Sequence, residues 1–295
     1  MAVSLRWHPR DCDRQDRIGV VFASHRRVRD LMQELEQEEL VRTHYNKVSG
    51  QWGTLYVPEV TFANYNFLIR KQHVLDLFTK RSGRYLDAGC GTGDFIPDLV
   101  QRGGDVYALD FAEEMVERSR QKVDECGCAD RVQFAVGDVY TLPYETDFFD
   151  GIIGVGLIEY LSDPDRAFRE MYRVMKPGGI LIVTVPNIMS PFMAYETAVP
   201  KVKGVVKSAL AAVGLRNPER AYFQRHYVPW TLDWQLRRVG FRKADFSFCT
   251  YGFSNSQRME SFSLGLSRKF DRFERSPLGI LGTNYIVKVE KPHRH

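Results

Sequence analysis

Between Arg84 and Phe95 the chain reads Arg-Tyr-Leu-Asp-Ala-Gly-Cys-Gly-Thr-Gly-Asp-Phe. A short apolar run ends in a carboxylate, passes through three glycines at alternate positions and leads into helical periodicity. Glycine accepts positive φ and has no Cβ, so the backbone of such a turn lies open to a bulky nucleoside. The spacing Gly89-x-Gly91-x-Gly93 differs from the Gly-x-Gly-x-x-Gly that seats a pyrophosphate on a helix N-terminus. It favours a nucleoside without a diphosphate and counts against a nicotinamide-dependent dehydrogenase.

From Arg84 onward, short apolar runs alternate with helical segments, the pattern of βα units around a mainly parallel sheet. Strands are predicted at Arg84–Asp87, Asp105–Asp110, Arg131–Ala135, Phe149–Val155 and Gly179–Val185, with weaker signals at Ala244–Cys249 and Asn284–Glu290. Helices are predicted at Asp94–Arg102, Ala112–Val123, Asp165–Met175 and Thr231–Val239, the third stopped by Gly178-Gly179. Ahead of this pattern, Val28, Leu31, Met32 and Leu35 recur at helical spacing, Tyr45 to Phe62 reads as an ordered loop, and Phe67, Val74, Leu75 and Phe78 mark a second helix. The expected organisation is an N-terminal helical cap (1–80) and an α/β domain (81–292).

Residues 186–228 form a connection far longer than the common loop of about 4–6 residues and read as an inserted cap or lid. Within it Val202, Val205, Val206, Ala209, Leu210 and Val213 share a helical face, with Lys201, Lys203 and Lys207 on other faces. Three readings stand side by side for 201–213: a lid over a hydrophobic acceptor, a helix resting on an anionic membrane, or an ordinary packed helix.

The later strands deliver polar groups to one sheet edge. Asp110 ends the second strand at about the interval at which dinucleotide folds place a ribose-binding acid. Gly137-Asp138-Val139 follows the third strand and offers an acceptor and an apolar wall of the kind an adenine needs. Gly154-Val-Gly-Leu-Ile-Glu159-Tyr160 follows the fourth, at the edge where open α/β sheets bind ligands.

Three ordered motifs, Leu86-Asp-Ala-Gly-Cys-Gly-Thr-Gly93, Gly137-Asp-Val-Tyr-Thr-Leu-Pro-Tyr144 with Phe149-Asp150 following, and Met175-Lys-Pro-Gly-Gly179, span the stretch from Arg84 to Val185. In this the chain resembles the class I S-adenosylmethionine-dependent methyltransferases, particularly their small-molecule and quinone-type branch. The resemblance implies a Rossmann-like, seven-stranded, mostly parallel sheet with an antiparallel last strand. It implies S-adenosyl-L-methionine as cofactor and S-adenosyl-L-homocysteine as product, with Asp87, Gly89, Gly91 and Gly93 around the methionine moiety. Asp110 falls on the ribose, and Asp138 with Val139 on the adenine. Cys90, Phe111 and Met115 are counted with these cofactor contacts. Tyr45 and Trp52 either close over the cofactor or pack within the cap.

Catalysis in such enzymes is mainly positioning, with a base where the acceptor must lose a proton. Glu159 either takes that role or caps the following helix. Tyr160 stands where quinone-pathway relatives often carry histidine, and His226 is either a base or a hydrogen-bonded structural histidine. The expected activity is methyl transfer to O, C or N of a small apolar or lipid-linked acceptor; the alternative is a non-catalytic binding or scaffold protein on the same fold.

Composition narrows the partners. The 295 residues carry a formal net charge of only +4, 44% hydrophobic and 26% charged residues, the balance of a folded chain. Arg70-Lys71 and Arg237-Arg238 read as solvated faces, too dispersed for a nucleic-acid groove. The Asn/Asp-Pro-Pro-Tyr type of motif that grips a flipped base in many nucleic-acid methyltransferases is missing after the fourth strand. Cys126-Gly-Cys128 lacks the further ligands of a metal site and reads as a loop on the far side of the sheet, so no metal is expected. The odd, scattered cysteines and the start, which has no apolar stretch of signal-peptide length, point to a reducing cytoplasm, with membrane association left to 201–213.

Overall fold

The computed structural model describes residues 35–50, 53–56, 61–195, 224–252 and 259–293. Seven strands form one sheet in the order β3-β2-β1-β4-β5-β7-β6: β1 (Gly83–Ala88), β2 (Gly104–Asp110), β3 (Val132–Val136), β4 (Phe149–Gly154), β5 (Met175–Pro186), β6 (Arg242–Cys249) and β7 (Asn284–Glu290). The first five run parallel, and β7 lies antiparallel between β5 and β6. The helices are α1 (35–50), α2 (Phe62–Leu77), α3 (Ile96–Gln101), α4 (Glu113–Glu125), α5 (Pro164–Val174), α6 (Pro229–Val239) and α7 (Glu260–Phe270), with residues 191–195 also helical.

Successive strand residues point to opposite faces, so each strand feeds two cores. Ile180, Ile182 and Ile286 join Val74 and Leu77 of α2, Leu99 of α3 and Val123 of α4 on one face. Leu181, Val183, Tyr285 and Val287 join Phe168 and Met171 of α5 and Leu232 and Leu236 of α6 on the other. Near-continuous apolar runs such as Ile180–Val183 are what a strand covered on both faces requires. Because the central strands are parallel, the ends of β1, β2, β3, β4 and β5 emerge at one edge. Antiparallel β7 begins there too, with Asn284 opposite Pro186.

Helix α5 ends at Val174, one residue from the expected limit, and Met175 already pairs with Phe149, ahead of Gly178-Gly179. Pro177 disfavours helical backbone at Lys176. The buried ammonium of Lys291, 3% exposed, then takes up the freed carbonyls, donating to Tyr172 O at 2.8 Å and Met175 O at 2.7 Å as well as to Asp147 Oδ1 at 2.6 Å. At the other end, α1 continues through Tyr45 to residue 50 where a loop was expected, and Arg118 of α4 ties it down by donating to Ser49 Oγ at 3.0 Å. Val28, Leu31, Met32, Trp52 and the 201–213 stretch lie outside the described residues.

Candidate active site

The cleft at the common strand edge is organised first by backbone. Gly89 and Cys90 donate to Leu109 O at 2.7 and 3.0 Å, tying the glycine turn to β2. Gly91 donates to Asp110 Oδ2 at 2.9 Å, and the other Asp110 oxygen accepts from Ala112 at 3.0 Å, ahead of α4. Gly91 and Gly93 have φ of +52° and +76°, in the left-handed region that favours glycine. A Cβ on Gly91 would meet nothing within 4 Å, whereas one on Gly93 would sit 2.3 Å from Ser119 Oγ. The first glycine therefore leaves space above the turn, and the second allows the turn to lie against α4.

Above this turn is a cavity of about 1090 Å3, large enough for a nucleoside cofactor and a second small molecule. Of the residues singled out from sequence, Tyr45, Gly89, Gly91, Asp110, Phe111, Met115, Asp138, Val139, Glu159, Tyr160 and His226 line it. Asp87, Cys90 and Gly93 lie outside the lining. Asp87 is 2% exposed, with one carboxylate oxygen lacking a donor; burial, with the nearby Asp110 and Asp94 adding to it, pushes its carboxyl up to about 8. The Cys90 side chain packs in the core beneath the turn, and burial raises its thiol well above the ordinary value. Asp138 accepts from Tyr140 N at 2.9 Å, so both aspartates that line the cavity also fix their own turns.

Beyond β4 the cavity changes character. Glu159 sits in a 3-10 turn (Ile158–Tyr160) and does not cap α5; Asp163 does, accepting from Arg166 N at 3.1 Å. Glu159 is 3% exposed, one oxygen has no donor, and burial lifts its carboxyl to about 7, against the opposing pull of its own backbone and Arg70. The strand of chain at 224–228 folds back on this turn: Arg225 N donates to Glu159 O at 2.7 Å and Gln224 to Tyr160 Oη at 3.3 Å, which brings His226 to the cavity. Tyr45 of α1 meets Tyr160 edge to face, ring centroids 5.4 Å apart. Phe67, Pro186, Ile188, Phe192 and Met193 form an apolar wall beside these groups.

Arg70 corrects the reading of Arg70-Lys71 as a solvated pair: its side chain is buried in the cavity wall, and only Lys71 turns outward, to Asp98 at 2.7 Å. The signal was present in the spacing. Arg70, His73, Val74 and Leu77 fall at i, i+3, i+4 and i+7, one face of a helix, and the other three are buried as well.

A family model described as a methyltransferase domain matches residues 86–183. A demethylmenaquinone methyltransferase of Lactiplantibacillus plantarum is 38% identical over 197 residues, covering 62% of this chain and 80% of that relative. The chain belongs to the class I S-adenosylmethionine-dependent methyltransferases, in their quinone-type branch. A biotin biosynthesis bifunctional protein of Teredinibacter turnerae is 42% identical over 101 residues; the match takes in 32% of this methyltransferase but only 18% of that longer protein. Among solved structures, magnesium protoporphyrin IX methyltransferase from Synechocystis with bound S-adenosylhomocysteine shares the fold, with a TM-score of 0.59 at 17% identity over 86% of this chain and 99% of the other. The cavity fits the family's cofactor on its own terms: an open cradle over Gly91, acids at the ends of β2 and β3, and the unpartnered Asp87 oxygen beneath. Among the described residues no cluster suits a metal ion, and no helix is long and apolar enough to cross a membrane.

Proposed function

We propose that this chain transfers the methyl group of S-adenosylmethionine to a small apolar ring acceptor of quinol type. One observation carries the reading: the glycine cradle and an apolar wall line one cavity, and Glu159, whose carboxyl is raised to about 7, lines it with them. The relative's name, demethylmenaquinone methyltransferase, supports the acceptor class.

In this reading Asp110 receives the ribose hydroxyls, Asp138 and Val139 the adenine, and Asp87, Gly89 and Gly91 the methionine end. Cys90 and Gly93 shape the turn, while Phe111, Met115 and Tyr45 supply walls. When bound, the sulfonium supplies an electrophilic methyl group. The chain's own task is to hold the acceptor in line and to remove a proton. Glu159, raised to about 7, takes a ring hydroxyl proton and raises electron density at the neighbouring ring carbon; once that carbon carries the methyl group it sheds its own hydrogen as a proton, which restores the ring hydroxyl, and Tyr160 and His226 orient the ring. The domain organisation we favour is a cap over 1–80, a methyltransferase domain over 81–292 and a lid within 186–228, with 201–213 as the segment that meets a lipid-borne acceptor. The free thiols Cys90, Cys126, Cys128 and Cys249 support a cytoplasmic setting.

The test is transfer of labelled methyl from S-adenosylmethionine to a panel of reduced short-chain naphthoquinols and benzoquinols. Product carrying one new carbon-bound methyl is expected. Tight S-adenosylhomocysteine binding without transfer to any of them would replace this reading with a non-catalytic binding protein.

A further inference from the structure

Helices α5 and α6 pack side by side on one face of the sheet and bury their apolar residues in the same core. Their outer sides therefore form one surface. Seven positions of the two helices are exposed, and they comprise four arginines, two tryptophans and a threonine. Arg166 and Arg169 come from α5; Trp230, Thr231, Trp234, Arg237 and Arg238 come from α6. The two indoles lie one helical turn apart, each 57% exposed, and the Arg238 guanidinium carbon is 4.6 Å from the centre of the Trp234 ring. The carboxylates of these helices are drawn inward. Asp233 takes Lys243 at 2.6 Å and the Tyr285 hydroxyl at 2.7 Å, Glu170 takes Arg173 at 2.8 Å, and Asp165 keeps one oxygen buried. Asp163, the cap of α5, lies 3.9 Å from Arg169 and offsets it in part. Both helices start at the cavity: Tyr160 and Leu161 line it just ahead of α5, and His226 just ahead of α6. Ile188, exposed and also part of the lining, donates its N–H to Tyr227 O at 3.0 Å, so it and the exposed Met189 carry the apolar rim to the beginning of α6.

We propose that the α5–α6 face is the surface on which this chain sits against an anionic lipid bilayer, with the arginines at the phosphates and the two indoles at the headgroup boundary. Indole has an apolar body and a polar N–H, and it settles at that depth. A guanidinium fork fits a phosphate at two points, and a cation near an anionic leaflet gains from the surface potential without a matched partner. A protein partner would have to answer these guanidiniums with acids in register, whereas a layer of lipid phosphates does so wherever the face lands. Docking in this way brings the rim of the cavity to the membrane, and an apolar acceptor then passes from lipid to cavity without crossing water. That last consequence rests on the proposed methyl transfer; the docking itself does not.

The test is co-sedimentation of the full chain with vesicles of phosphatidylcholine alone and of an equimolar mixture with phosphatidylglycerol. The wild type is expected to bind the mixture, more weakly as salt is raised, and to bind phosphatidylcholine poorly. Arg237→Gln with Arg238→Gln should weaken that binding about 25-fold, or about fivefold for each charge removed. Trp230→Gln with Trp234→Gln should also weaken it, and should remove most of the quenching of tryptophan fluorescence by lipids brominated in their acyl chains. Urea midpoints show whether each pair leaves the fold intact; should a pair unfold the chain, Arg237→Gln or Trp234→Gln alone reads the same direction at smaller size. A wild type that ignores the mixed vesicles, or binding undiminished in both folded variants, overturns the proposal. So does loss in the arginine pair alone with wild-type tryptophan unquenched, which marks a polyanion site for a different partner. None of these readouts involves the cofactor, so failure of the docking and failure of methyl transfer are told apart.

Discussion

The two halves of the cavity are built on opposite principles. On the β1-β2-β3 side, the aspartates that line the cavity are held by the chain's own backbone: Asp110 takes two backbone N–H groups, Asp138 takes one, and the glycine turn is pinned to Leu109. On the β4-β5 side, Glu159 and Arg70 each keep a buried polar atom without a partner. Apart from the Asp87 oxygen beneath the turn, the first half is finished before anything binds, as preorganised recognition of an invariant ligand requires. The second carries polar atoms whose desolvation is not repaid within the chain, and a ligand that repays it gains both affinity and selectivity. One half thus reads as generic to the fold, the other as particular to this chain.

Substitutions on the two sides should therefore fail differently. Glu159→Gln is expected to produce the largest effect: turnover falls by about 10²–10⁴-fold, the usual worth of a general base, while calorimetric S-adenosylhomocysteine affinity is nearly unchanged. Comparable loss of both would erase the distinction between the halves. Asp110→Ala should show the converse, weakening S-adenosylhomocysteine by about 10–100-fold, since charge-assisted hydrogen bonds are worth about 1.5–3 kcal/mol.

Gly93→Ala should lower stability by about 1–3 kcal/mol through the left-handed backbone and the clash with Ser119, visible as a reduced urea midpoint. Cofactor-saturated turnover should survive if the turn reforms on binding. The pH response has two signs. As a base Glu159 must be ionised, so kcat/KM should climb as pH rises through about 7. Folding stability should do the reverse. A carboxyl raised from its ordinary 4.5 to about 7 holds a proton in the native state that the unfolded state has released, so stability falls as pH rises between those values and levels off above 7. Asp87, raised to about 8, contributes in the same direction, so the Glu159→Gln comparison isolates the share of Glu159. At the bottom of the scale, Arg237→Ala with Arg238→Ala, on the exposed face of α6, should shift stability by about 0.5 kcal/mol or less apiece and leave cofactor binding alone.

The first half was legible because its information is local. A strand, a carboxylate and three glycines are contiguous, and the acids at Asp110 and Asp138 follow strands whose predicted limits lie within a few residues of the observed ones. The second half is assembled from α2, the turn after β4, the end of β5, residues 224–228 and the start of β7, and no window of sequence contains it. Arg70 was misread because its neighbour Lys71 is solvated, and basic pairs usually are; only the phase shared with His73, Val74 and Leu77 sets it apart. The Glu159 alternatives could not be separated from sequence, since Asp163 is an equally good cap four residues later. The end of α5 falls within one residue of its expected place, but Pro177 and the distant Lys291, rather than Gly178-Gly179, decide it.

The position of β7 has a consequence for how the molecule comes into being. Strand β7 is the last in sequence, yet it lies inside the sheet, between β5 and β6. During vectorial synthesis β5 must emerge, and then the long stretch to β6, before residues 284–290 exist to join them. Until then β5 offers an open edge along Ile180–Val185, an apolar, β-branched run of the kind that recruits foreign strands. A nascent chain stalled short of residue 284 would hold its cofactor turn nearly complete while its sheet could not close, so shielding of that edge on the ribosome is a requirement written into the strand order.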